Sequence, residues 1–196
     1  MNAKFWAGKR VLITGHTGFK GSWLSLWLQS LGASVKGMAL QPPTTLNMFE
    51  LANVGAGMES YIVDIRDFNA VEKVVSEVRP EIAIHMAAQS LVRYSYRNPI
   101  ETYATNVMGT VHLLEALVKE GSVKAVVNVT SDKCYENKEW VWGYRENDRL
   151  GGEDPYSSSK ACCEHVVSAY RRSFFAGSEG LCGRVGLATA RAGNVI

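Results

Sequence analysis

Short apolar runs alternate with apolar residues spaced three or four apart along the chain. Arg10–Thr14, Ser34–Ala39, Glu59–Val63, Ile82–Met86, Lys124–Val129 and Arg184–Ala190 have the length and character of strands. Lys124–Val129 is nearly continuous in apolar residues, as expected for a strand buried on both faces. Helical spacing fills the intervals at Phe19–Leu31, Phe68–Val78, Thr102–Lys119 and Tyr156–Phe175. In the second of these, Phe68, Val71, Val74, Val75 and Val78 share one face, Asp67 is placed to cap the start and Pro80 to mark the end. Gln41–Thr45, with two prolines, reads as a loop, followed by a short helix near Met48–Asn53. This alternation predicts an α/β fold, a doubly wound parallel sheet with helices on both faces. Ligands of such sheets bind where the strands end.

The first strand runs straight into Gly15-His16-Thr17-Gly18-Phe19-Lys20-Gly21, and a helix pattern begins at once. A strand turning sharply into a helix presents free N–H groups and the positive end of the helix dipole. Glycines there let a pyrophosphate approach and let helix pack on strand. The turn predicts a dinucleotide site in a Rossmann-type domain. Asp64, just past the third strand, is placed to accept from an adenine amino group, with Ile65 offering a backbone N–H; a plain carboxylate at a helix N-terminus is the rival reading. Ala39–Thr45 holds neither an acid for a ribose 2′-hydroxyl nor a base for a 2′-phosphate. The missing positive charge favours NAD over NADP.

Tyr156 and Lys160 stand four apart at the start of a helix and so share a face. A tyrosine, with an ordinary pKa of about 10, must fall by about three units to take a proton from a sugar hydroxyl near neutrality. A neighbouring ammonium and a bound cationic nicotinamide would both favour the phenolate. Ser131, after the fifth strand, is placed to hydrogen-bond the same substrate oxygen.

The 196 residues allow one domain with a sizeable core, and 46% hydrophobic with 20% charged residues is ordinary for a globular protein. A net charge of +2, without a basic run, gives no support for nucleic-acid binding. No apolar run approaches the roughly 20 residues of a bilayer helix, and the N-terminus lacks a signal-peptide core. The expected location is the cytoplasm. Cys134, Cys162, Cys163 and Cys182 form no C-x-x-C pair, which suits reduced, mostly buried thiols rather than a metal site. The polar segment Glu136–Glu153 carries Trp140, Trp142 and Tyr144 and reads as a flap over the site or as a plain surface loop.

Five segments, Thr14–Leu24 (TGHTGFKGSWL), His85–Val92 (HMAAQSLV), Thr130–Tyr135 (TSDKCY), Pro155–Ala161 (PYSSSKA) and Arg191–Ile196 (RAGNVI), resemble the extended short-chain dehydrogenase/reductase family, most closely its CDP-glucose 4,6-dehydratase branch. The resemblance implies an internal redox loop through bound NAD that converts a hexose nucleotide to its 4-keto-6-deoxy form. It assigns Tyr156 to the C4 hydroxyl proton, with Lys160 and Ser131 in support, and Asp132 to the departing C6 hydroxyl. Many relatives have Asp-Glu where this chain has Asp132-Lys133. Either a neutral Lys133, its pKa lowered by burial and by repulsion from Lys160, removes the C5 proton, or a protonated Lys133 stabilises the enolate or binds phosphate. By the same resemblance Ala87, Ala88 and Gln89 line the cofactor, Asn106 holds backbone near the nicotinamide, and Gln89, Ser90, Val92, Ser131, Arg191 and Asn194 contact substrate. It also implies that residues 1–196 are the NAD-binding domain, that 191–196 begin a substrate-binding part missing beyond Ile196, and that the two long helices build a homodimer or homotetramer. The alternatives are a 4-epimerase, a dehydratase for another nucleotide sugar, or a non-catalytic NAD-binding module.

Overall fold

The computed structural model describes residues 2–175 and 185–194. Six strands form one sheet: β1 (Arg10–Thr14), β2 (Ser34–Ala39), β3 (Glu59–Ile62), β4 (Ile82–His85), β5 (Ala125–Ser131) and β6 (Gly186–Ala192). Their order is β3-β2-β1-β4-β5-β6, and every pairing is parallel. The order reverses between β1 and β4, so a crevice opens above their C-terminal ends.

The helices are α1 (Ala3–Trp6), α2 (Phe19–Ser30), α3 (Met48–Leu51), α4 (Phe68–Val78), α5 (Val92–Arg97), α6 (Pro99–Tyr103), α7 (Gly109–Glu120) and α8 (Pro155–Tyr170). Strand alternation sends side chains to both faces of the sheet. Leu12 joins one core cluster with Val71 and Val75 of α4, Leu113 and Leu117 of α7 and Val167 of α8. Its neighbours Val11 and Ile13 join the other, with Leu28 of α2.

Several termini follow from local chemistry. The Asp67 carboxylate accepts from the Ala70 N–H at the start of α4. Arg79, in the left-handed region at φ 47°, closes that helix ahead of Pro80. Asp154 accepts from the Ser157 N–H, and Pro155 occupies the first turn of α8, where its missing N–H costs nothing.

Three departures from the sequence expectation concern helices. The expected Thr102–Lys119 helix begins earlier, at Pro99, and passes through a π segment at Ala104–Met108 between α6 and α7. α5 occupies residues to which the sequence pattern assigned no element, and the end of α8 widens into a second π segment at Arg171–Phe175. Among strands, β5 runs on to Ser131, and β6 begins at Gly186 where Arg184 was expected; Arg184, like Cys182, lies outside the described residues. Cys134 and Cys163 are buried free thiols, and Cys162 is half-buried.

At the lower rim of the sheet, Glu81 accepts from Lys9, the Arg10 N–H and Lys124. One carboxylate thus joins the entrances of three strands. No helix among the described residues is long and apolar enough to cross a membrane.

Candidate active site

Gly15, at φ +76°, turns the chain out of β1, and its N–H donates to Met38 O at the end of β2. A Cβ here would lie 2.8 Å from the Ala87 nitrogen, and one on Gly21 2.1 Å from the Gly15 oxygen. Only glycine lets the β1 turn, the β4 turn and α2 meet this closely. Thr17 ties the same turn to the end of β2 by donating to Leu40 O at 2.9 Å.

Above the turn lies a cleft of about 550 Å³. Of the predicted site residues it is lined by Gly15, Thr17, Gly18, Phe19, Lys20, Gly21, Asp64, Ile65, Ala87, Ala88, Gln89, Ser90, Tyr156 and Lys160. His16 is not among them. Its ring is fully buried beside Gly37, with Nε2 2.6 Å from Ser60 Oγ and an edge contact to Phe49. Burial drives its pKa down to about 4. The glycine on β2 leaves a hollow, and the ring drops into it rather than facing the cleft.

Asn106 sits in the π segment below the cleft wall. Its Oδ1 accepts from the Gln89 N–H at 2.8 Å, and its Nδ2 donates to Gln89 O at 3.0 Å and to Ser159 Oγ at 2.8 Å. Gripping both polar groups of one peptide residue, it fixes the turn. The Gln89 side chain is itself engaged, through Leu91 and Thr102. Ser90 is exposed at the cleft, whereas Val92 begins α5 outside its lining.

Tyr156 and Lys160 rise side by side from the first turns of α8. Burial pushes the Tyr156 pKa up, opposed by a hydrogen bond with Ser131 and the charge of Lys133. The expected help from Lys160 takes another form: its Nζ donates to Val129 O at 3.3 Å, and burial, with Lys20 nearby, lowers its own pKa. Ser131 donates to Asp132 Oδ1 at 3.0 Å. Lys133 Nζ stands 3.3 Å from that same oxygen and 3.5 Å from Asn194 Oδ1. Tyr156, Ser131, Asp132, Lys133 and Asn194 therefore form one cluster at the mouth of the cleft. Lys133 is neither buried nor set against Lys160: 40% of its side chain is exposed, and its contact is a carboxylate.

Arg191 does not face this cluster. Its guanidinium donates to Glu164 at 3.0 Å, Tyr135 Oη at 2.6 Å and Glu146 at 3.0 Å, lies over the Tyr135 ring, and lines a separate polar cavity. Buried Glu164 of α8 also accepts from Thr130 and Thr189. A three-donor grip on one carboxylate explains why the arginine turns inward: a buried charge needs a partner. The Glu136–Glu153 excursion packs on Arg191 through Glu146, and no residue of it lines the cleft. Its base is pinned by the Tyr135–Leu150 bridge, and Tyr144 stacks on Tyr135 at 5.2 Å.

Asp64 lines the cleft, but both its oxygens accept from Arg66, which also lies 3.8 Å from Glu101. These contacts lower the Asp64 pKa. Sequence reasoning missed Arg66, though its place two residues beyond Asp64, able to fold back on it, was a usable signal. Leu40, Gln41 and Pro43 line the cleft beyond β2, with no charged group from that loop.

The model of the GDP-mannose 4,6 dehydratase family matches residues 12–178. The chain belongs to this family. It falls within the extended short-chain dehydrogenases/reductases expected from its motifs. It is 61% identical over its full length to a CDP-glucose 4,6-dehydratase of Salmonella typhimurium, of which it covers 55%. Its fold is similar to the dTDP-glucose 4,6-dehydratase of Streptomyces venezuelae solved with NAD (TM-score 0.73, 27% identity, 83% of this chain and 52% of that one). A UDP-glucose 4-epimerase of Thermotoga maritima gives a TM-score of 0.75 at 28% identity, over 83% of this chain and 51% of that one. The chain spans about half the length of the relatives it matches.

Proposed function

We propose that this chain is the NAD-binding half of a CDP-glucose 4,6-dehydratase. The observation that carries the reading is the joining of Tyr156, Ser131, Asp132 and Lys133 at the mouth of a glycine-floored cleft, together with the identity to the Salmonella enzyme. The residues suit NAD. Gly15 and Gly21 leave backbone bare where a pyrophosphate would sit, Lys20 supplies charge, and Arg66, the cation at the far end among the described residues, is already held by Asp64. Bound NAD supplies the acceptor and donor of hydride.

The chain's own residues handle the protons. Tyr156 Oη takes the proton of the sugar C4 hydroxyl, with Ser131 hydrogen-bonded beside it. Asp132 gives a proton to the C6 oxygen as it leaves, a duty that a 4-epimerase does not require. For this Asp132 must hold a proton, and Lys133, to remove the C5 proton, must be neutral: passage of one proton from Lys133 to Asp132 across their 3.3 Å contact meets both needs. The exposed face of the first long helix, with Ile100 85% and Met108 46% accessible, supports assembly into a homodimer or larger homo-oligomer, and the proposed location is the cytoplasm.

The full-length protein with NAD and a panel of glucose nucleotides is expected to yield a 4-keto-6-deoxy sugar, seen by its alkaline absorbance, from the CDP sugar alone. Product from another base would move the substrate assignment, and none from any would favour a binding module. Lys133→Met is expected to abolish exchange of solvent deuterium into C5; exchange at the parent rate would remove Lys133 as the base.

A further inference from the structure

We propose that His85 is a positioning residue for the dinucleotide: a neutral imidazole, protonated on Nε2, that holds the Met86–Gln89 turn against the Gly15 turn through Thr14 and Thr110. This rests on the NAD-binding reading above and adds a group that the reading leaves unused.

Counting protons determines the arrangement. The Ala87 N–H donates to Thr14 Oγ1 at 3.0 Å, and the Met86 N–H is shared between that oxygen at 3.0 Å and Thr14 O at 3.1 Å. Those bonds take both lone pairs of the hydroxyl, so its proton is free to donate. It points to His85 Nδ1, 2.6 Å away, which must therefore be the unprotonated nitrogen. Nε2 then carries the proton and donates to Thr110 Oγ1 at 3.1 Å. Thr110 can accept it, because its own proton goes to Asn106 O at 2.6 Å. Every hydrogen runs one way, from the turn that lines the cleft, through the ring, to the residue that clasps Gln89. Reversing the ring would set an Nδ1–H against a hydroxyl oxygen that already faces two amides and leave the Thr14 proton without an acceptor.

The site tolerates no second proton. His85 is buried between β1 and the π segment, Lys160 of α8 is the charge that faces it, and Cys163 approaches through Thr110. A charged ring would lose the bond from Thr14, and Thr14 would then release one of the two amides.

The test uses the full-length protein labelled with ¹⁵N-histidine. The imidazole whose signals vanish in His85→Asn should show the Nε2–H neutral pattern unchanged between about pH 5 and 9. An Nδ1–H pattern, or titration of that ring within this range, would overturn the proposal. NAD titration supplies the second arm. Thr14→Ser, which keeps the hydroxyl, should bind within about twofold of the parent, and Thr14→Val should bind about tenfold more weakly, the loss of roughly one buried hydrogen bond. Parent-like NAD binding by Thr14→Val would overturn the positioning role even if the tautomer is right. Failure of the parent itself to bind NAD would instead strike the functional reading, with the ¹⁵N result still deciding where the proton sits.

Discussion

Gly15 combines a left-handed backbone with an amide pressed against its Cα, so the two penalties of a side chain add. Gly15→Ala is expected to cost about 1–2 kcal/mol in backbone strain, and more from the 2.8 Å contact with Ala87. NAD binding should fall with it. Gly18→Ala meets only the Gly15 oxygen at 3.4 Å and should leave thermal unfolding nearly unchanged. Calorimetry of the two variants separates a turn that must be glycine from one that need not be. At Tyr156, replacement by Phe should lower turnover by about 100-fold or more while NAD titration stays as in the parent. Single residues were legible where their spacing carried chemistry, as with the glycines, Tyr156 and Lys160. They were not legible where a long-range partner decides. Arg191 turns to Glu164, 27 positions away, and His16 drops into a hollow left by Gly37, 21 positions away in sequence.

The helix caps make the same distinction one level up. Asp67 and Asp154 each accept from an N–H three residues ahead, and replacing either with Ala should cost about 1 kcal/mol. Only the second cap begins the helix that carries Tyr156 and Lys160. Urea unfolding should therefore show similar losses for Asp67→Ala and Asp154→Ala, and activity assays a fall in turnover for Asp154→Ala alone. Strands and the strongly periodic α4 were plain in the sequence because their apolar pattern is local. α5 was missed because Val92–Arg97 shows no apolar spacing and is held by contacts elsewhere, such as Ser95 Oγ accepting from the Tyr156 N–H. The π segments follow from packing against neighbouring helices, a matter on which propensity is silent.

For the molecule as a whole, the parallel order places all the proposed chemistry along the upper rim and a charge clamp along the lower. Two buried rings set the acid limit. His16 and His85 are held from the ordinary 6.5 down to about 4 and about 3 by burial. The folded state thus resists protons that the unfolded chain accepts, so their stabilisation is complete above pH 6.5 and drains away as pH falls toward those lower values. Glu81 is lowered from 4.5 to about 2, first by Lys124 and then by the Arg10 amide, so its share is intact above 4.5 and is lost as pH falls through about 2. Melting temperature measured against pH should begin to decline below 6.5 and steepen below 4.5. In Glu81→Gln the second, steeper part should flatten while the first remains.

Glu81 lies roughly 16 Å, five residues of strand, from the loops that would meet a nucleotide. A change there should alter how much acid the protein survives without altering the proposed chemistry on a sugar. Durability and reactivity occupy opposite shores of the same sheet, and an engineer could reshape one while leaving the other as it was.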